Sequence, residues 1–174
     1  MQFHITPMTH EQARAILAWT YDGPYSIYNY YKSTSHLLDP ARWGKTLFAV
    51  LDENSQLAGE LTVGFLTPSG EWTSQAAVEA GQIEGCTLWI GFGMRPALTG
   101  QGLGLAFVET CSAFAAVFAR KRYHYAGDYI GLNVYQFNQR AIKVYERAGF
   151  QKYFEGSRII EGREIKTQWM RKKI

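Results

Sequence analysis

A chain of 174 residues, 47% apolar and 19% charged, has the composition of a globular protein and the length of one domain, residues 1–174, which excludes the disordered and fibrous classes. A net charge of +3 carried by scattered Lys and Arg implies no nucleic acid, although basic groups suit an anionic small molecule. Cys86 and Cys111 lack zinc-like spacing, the four histidines form no i, i+4 pair, and no apolar run is long enough for a bilayer, so the expectation is a soluble cytoplasmic protein with no metal and no membrane.

Residues 2–6 predict a short strand, and Thr9 is placed to cap a helix over Glu11 to Trp19 with Ala13, Ile16 and Leu17 on one face. Asp22-Gly23-Pro24 breaks that helix, and the aromatic stretch Tyr25 to Tyr31 predicts a second short helix or an ordered loop. Leu47 to Leu51 and Leu57 to Phe65 flank a polar turn and predict an antiparallel hairpin. Thr67 to Gly85 is rich in Gly, Ser, Thr and Glu, and its tip, Pro68 to Ser74, predicts an exposed excursion before a strong strand, Cys86 to Met94. Gly102 to Arg120 predicts a long helix with Leu103, Phe107, Cys111, Phe114 and Phe118 as its buried stripe. Tyr129 to Tyr135 predicts a strand, followed by a helix over Gln139 to Ala148 capped by Asn138 and stopped by Gly149. Phe150 to Ile160 and Arg163 to Met170 close the chain as a hairpin. This order predicts a mixed α/β layer, one central sheet flanked by helices, rather than a doubly wound sheet.

The stretch Gly91 to Gly104 reads as a strand, a turn and a glycine-rich approach to a helix. Gly100, Gly102 and Gly104 let successive backbone N–H groups converge, and the positive end of the following helix favours a pyrophosphate. Two rival motifs fail on spacing: a dinucleotide fingerprint begun at Gly100 requires glycine or alanine where Leu105 stands, and no Lys followed by Ser or Thr ends the run as in a P-loop. A nucleotide-binding regulator is thereby disfavoured. Glycines that merely permit tight packing are the structural alternative.

Further on, the chain reads Asn138-x-x-Ala141-x-x-x-Tyr145-x-x-x-Gly149-Phe150 after a strand. Taken with the strand, glycine turn and helix upstream, it resembles the GNAT superfamily of N-acetyltransferases, and the order of elements extends that resemblance over nearly the whole chain. The resemblance implies an acyl-CoA N-acyltransferase fold of class α/β (α+β mixed sheet), its central sheet mostly antiparallel with a splayed parallel strand pair. It implies acetyl-CoA as co-substrate and an amine as acceptor, and it admits a homodimer. It assigns the pyrophosphate to the backbone of Thr99, Gly100, Gln101, Gly102, Leu103 and Gly104, and the pantetheine arm to Phe92, Met94 and Asn138. The family usually places Arg or Gln where this chain has Thr99, so the backbone amides are left to hold the phosphates.

An alkyl ammonium has a pKa of about 10.4, so it must lose a proton before it attacks a thioester. The resemblance gives the N–H of Met94 the developing oxyanion and the hydroxyl of Tyr145 the departing thiolate. Asn138 and Tyr145 are two helical turns apart, roughly 10 Å along the axis; a plain N-cap and a core aromatic are the bland alternatives. No base stands on Thr87 to Gly93; Glu84 at the entrance of that strand and Glu60 on the hairpin are the candidates, against the plainer role of solvated surface groups, and a chain of waters is the alternative for the task. The aromatics Trp19, Tyr21, Tyr25, Tyr28, Tyr30 and Tyr31 fall where the family builds its acceptor pocket; Tyr25, Tyr28 and Tyr31 are the substrate candidates, against the plainer role of covering the core. The alternative to an enzyme is a non-catalytic acyl-CoA-binding sensor or interaction module of the same fold, which an acid-free strand and the missing Arg or Gln favour.

Overall fold

The structure, a computed structural model, describes residues 1–30 and 36–174. Seven strands, β1 (Phe3–Pro7), β2 (Leu47–Asp52), β3 (Leu57–Leu66), β4 (Thr87–Met94), β5 (Tyr129–Tyr135), β6 (Gln151–Ile160) and β7 (Arg163–Lys173), form one sheet in the order β1-β2-β3-β4-β5-β7-β6. It is flanked by the helices α1 (His10–Leu17), α2 (Gln75–Glu79), α3 (Gly104–Tyr123) and α4 (Gln139–Arg147). The pairs β1·β2, β2·β3, β5·β7 and β6·β7 are antiparallel. The pair β4·β5 is parallel, in register at Leu88↔Ile130 and Trp89↔Gly131. A mixed sheet with one parallel pair is the architecture expected.

The chain divides into two compact units, residues 1–63 with 92–111, and residues 64–91 with 112–174. In the first, Thr9 caps α1 through a reciprocal capping box with Gln12, and Ala13 and Ile16 turn into a cluster with Met8, Leu37, Leu47, Ala49 and Leu51. Phe107 meets both Phe3 and Phe92 edge to face, with ring centroids at 5.3 and 5.9 Å. A methyl at Gly59 would strike the Phe107 ring and lie 2.6 Å from the Gly93 carbonyl. Glycine at 59 is what lets a ring and a neighbouring backbone approach β3 together.

In the second unit Phe65 packs on Tyr123 and Tyr125. The Tyr125 hydroxyl accepts from the Leu88 N–H at 3.1 Å and donates to the Tyr129 carbonyl at 2.9 Å. Asn138 caps α4 by accepting from the Ala141 N–H, and Gly149 follows the helix at φ 92°.

Two details add to the expectation and a third corrects it. The aromatic stretch holds a 3-10 turn, Gly23–Tyr28, because Asp22-Gly23-Pro24 starts a tight turn and no polar face follows to carry an α-helix. The stretch between the Pro68–Ser74 excursion and β4 contains α2, started by the Ser74 hydroxyl. The buried side of α3 is built from Phe107, Cys111, Ala115 and Ala119, whereas Leu103, Phe114 and Phe118 are half-buried. Small side chains bring a helix close to what it packs on, and Phe114 instead stacks on Phe118 at 5.6 Å.

Candidate functional site

In β4 Leu88, Trp89 and Ile90 are buried, Gly91 is exposed and Phe92, Gly93 and Met94 are half-buried. Pro96 then opens a 3-10 turn, Pro96–Leu98. The Thr99 hydroxyl closes that turn on the Pro96 carbonyl at 2.8 Å, and the Gln101 amide reaches the Ala97 carbonyl at 2.6 Å. Gly100 and Gly102 follow with φ of 77° and 78°, a region closed to most side chains. A methyl built on Gly102 meets nothing within 4 Å, so the glycine serves the bend and not tight packing. The first α3 backbone bond runs from Phe107 N–H to Leu103 O; the amides of Gly104, Leu105 and Ala106 therefore precede the helical ladder and have no carbonyl within it to reach. Residues 99–104 thus form a bend leading into the positive end of a 20-residue helix, a shape that suits an anion.

At Gly93 the Phe92–Met94 segment meets a polar cluster whose members the sequence names singly and does not join. Glu60 stands on β3, only 6% exposed, which corrects its expected place on the surface. A central strand is covered on both faces, so the alternation that puts an acid in water on an edge strand does not apply. Its Oε1 accepts from the Tyr30 hydroxyl at 2.9 Å, and its Oε2 lies 3.4 Å from the Thr62 hydroxyl. The Gly93 N–H also donates to this carboxyl, and the Arg42 charge acts on it. Burial outweighs these partners and lifts the Glu60 pKa from 4.5 to about 7. Burial, aided by the Glu60 charge, pushes the Tyr30 and Tyr21 phenols and the Cys111 thiol upward.

The aromatic stretch reaches β4 through Tyr21, whose hydroxyl donates to the Met94 carbonyl at 2.9 Å and whose N–H is held by Asn29 at 2.7 Å. A methyl on Gly93 would come within 2.6 Å of the Tyr30 oxygen, 3.4 Å of the Tyr21 oxygen and 3.5 Å of Glu60 Oε1. Three polar groups therefore meet where β4 has no side chain. Tyr28 lies edge to face with Tyr21 at 6.4 Å, Tyr25 is half-buried, and Tyr31 lies outside the described residues. Asn138 and Tyr145 are both half-buried on α4, with Tyr145 against Phe150 at 6.3 Å. Glu84 is exposed. Among the described residues no three of His, Cys, Asp and Glu gather as metal ligands would, and no helix is long and apolar enough to cross a membrane.

The family model described as the acetyltransferase (GNAT) family matches residues 10–150, which include the bend, β4 and the Asn138–Tyr145 helix. The chain belongs to the acetyltransferase (GNAT) family. As a GNAT protein it is an acetyl-CoA-dependent N-acetyltransferase. Among curated proteins none matches it by sequence. Among solved structures it is similar to a chimeric spermidine N-acetyltransferase from Vibrio cholerae, with TM-score 0.68, 16% identity, and 99% of this chain and 96% of that chain covered. An acetyltransferase of the GNAT family from Bacillus anthracis gives TM-score 0.66 at 13% identity, covering 98% and 94%. An aminoglycoside N(6')-acetyltransferase from Legionella pneumophila gives TM-score 0.63 at 15% identity, covering 99% and 92%. At these identities the likeness is one of fold, and it spans almost the full length of this GNAT chain.

Proposed function

We propose that the protein transfers the acetyl group of acetyl-CoA to a primary amine by direct attack, with Tyr145 as general acid. The observation that carries this reading is the bend at residues 99–104: two glycines at positive φ and three amides ahead of the α3 ladder, in the stretch matched by the acetyltransferase family. Its backbone would hold the pyrophosphate, and Thr99, whose hydroxyl is spent on Pro96, would contribute its main chain. Phe92 and Met94 would run beside the pantetheine arm, with Asn138 on the same arm and the Met94 N–H at the developing oxyanion. Acetyl-CoA supplies the activated acyl group. The hydroxyl of Tyr145 gives its proton to the departing thiolate.

Two of the similar structures are acetyltransferases of spermidine and of an aminoglycoside, both amines, and the half-buried Tyr25 and Tyr28 supply aromatic walls that favour a cationic acceptor. The acid-free β4 that favours a non-catalytic module is offset by Glu60, which reaches that strand at Gly93. The test is thiol release from acetyl-CoA with spermidine, an aminoglycoside, a peptide amino terminus and free amino acids. Release with at least one amine is expected, and Tyr145→Phe lowers kcat by roughly 10²-fold or more with acetyl-CoA affinity held within about twofold. Unchanged kcat in Tyr145→Phe refutes the acid role.

A further inference from the structure

An ammonium acceptor needs a group that takes its proton close to the acyl carbon, and β4 itself carries none. We propose that Tyr30 and Glu60 form a proton relay at Gly93, the Tyr30 oxygen taking the proton of the incoming ammonium while the Tyr30 hydroxyl passes its own to the Glu60 carboxylate. The inference rests on the amine-acetylation reading above and adds to it a proton acceptor on β3.

The geometry carries it. Of the pair, the Tyr30 oxygen lies nearer the strand, 2.6 Å from where a Cβ on Gly93 would stand against 3.5 Å for Glu60 Oε1, so the phenol is the member that meets β4 first. The two are already joined at 2.9 Å, within the range a proton crosses. The pair meets β4 at the residue before Met94, and only the lack of a side chain at Gly93 leaves room for the Tyr30 oxygen, the Tyr21 oxygen and Glu60 Oε1. Tyr21 is occupied by the Met94 carbonyl, which leaves Tyr30 as the phenol turned to the carboxyl. An ionisation near 7 fits a base that must be charged at neutral pH yet hold a proton once given. Burial raises it; Tyr30 from the aromatic stretch, Thr62 on β3, Arg42 before β2 and the Gly93 amide of β4 lower it, and Tyr21 and Cys111 of α3 also face the carboxyl and are shifted by its charge.

The step balances. One ammonium proton ends on Glu60, the freed nitrogen lone pair forms the C–N bond, and the C–S bond breaks. The second proton shed by that nitrogen replaces the one Tyr145 gives to sulfur, and Glu60 returns its proton to water.

The experiment measures thiol release against pH, with acetyl-CoA and whichever of the four amine classes turns over best, in the wild type, Glu60→Gln and Tyr30→Phe. The wild type is expected to lose activity with a one-proton limb as pH falls through about 7. Glu60→Gln is expected to drop kcat about 10²-fold or more, to lose that limb, and to bind acetyl-CoA by calorimetry within about twofold of wild type. Tyr30→Phe is expected to drop kcat by at least about tenfold, and it serves where Glu60→Gln does not fold. A Glu60→Gln enzyme that keeps the limb, whatever its kcat, overturns the relay alone, as does a fully active Tyr30→Phe. A wild type with no turnover on any amine overturns the amine reading and the relay with it.

Discussion

Because the Glu60 carboxyl ionises near 7 in the folded chain and near 4.5 when free of it, the folded state keeps a proton over a pH range in which the unfolded chain has released it. The sign follows from linkage: a raised folded-state pKa contributes stability that is complete below about 4.5 and is lost as pH rises through about 7. The shift corresponds to about 3 kcal/mol between those limits. Glu60→Gln removes the ionisation and keeps an acceptor for the Tyr30 hydroxyl and the Gly93 amide. Urea unfolding is therefore expected to show Glu60→Gln more stable than wild type at pH 8, by up to about 3 kcal/mol, with the gap closing by about pH 5. A gap that stays constant with pH would mean that the carboxyl titrates as an ordinary surface group.

At the scale of elements, α4 combines a structural and a functional claim in one residue. Asn138 accepts from the Ala141 N–H as an N-cap, and the proposed function also places its amide on the pantetheine arm. The two are separable, since Asp caps a helix as well as Asn but lacks the amide donor. Asn138→Ala is expected to cost about 1 kcal/mol of stability and Asn138→Asp close to none, by thermal or urea unfolding. Both are expected to weaken acetyl-CoA binding about tenfold by calorimetry, and unaltered affinity in Asn138→Asp would leave the residue a cap alone. Elements of this kind were legible because their signals are local: Thr9 with Gln12, Asn138 with Ala141, and the polar turn of residues 52–56 each announce themselves within a few positions. The buried side of α3 was not, because the large residues Phe114 and Phe118 follow the helical period as well as Ala115 and Ala119 do, and only the packed fold decides between them.

Over the whole molecule, the glycine bend and the Asn138–Tyr145 spacing were enough to read the family, since backbone shape at 99–104 needs glycine and leaves a mark in the sequence. The Tyr30–Glu60 pair left no such mark. Its members are 30 positions apart, Glu60 sits in a β3 whose Glu and Thr positions read as an outward face, and its burial comes from the place of that strand in the sheet. Signals for the acyl donor are thus contiguous, while those for the proton acceptor are assembled by the fold.

The central claim, acetyl transfer from acetyl-CoA to an amine, is tested most directly by mass spectrometry of the amine panel after incubation with the protein and acetyl-CoA. At least one amine is expected to gain a nitrogen-bound acetyl group, with one free thiol formed per acetyl transferred and acetyl-CoA binding seen in calorimetry. Binding of neither acetyl-CoA nor coenzyme A, with every amine recovered unmodified, would contradict it.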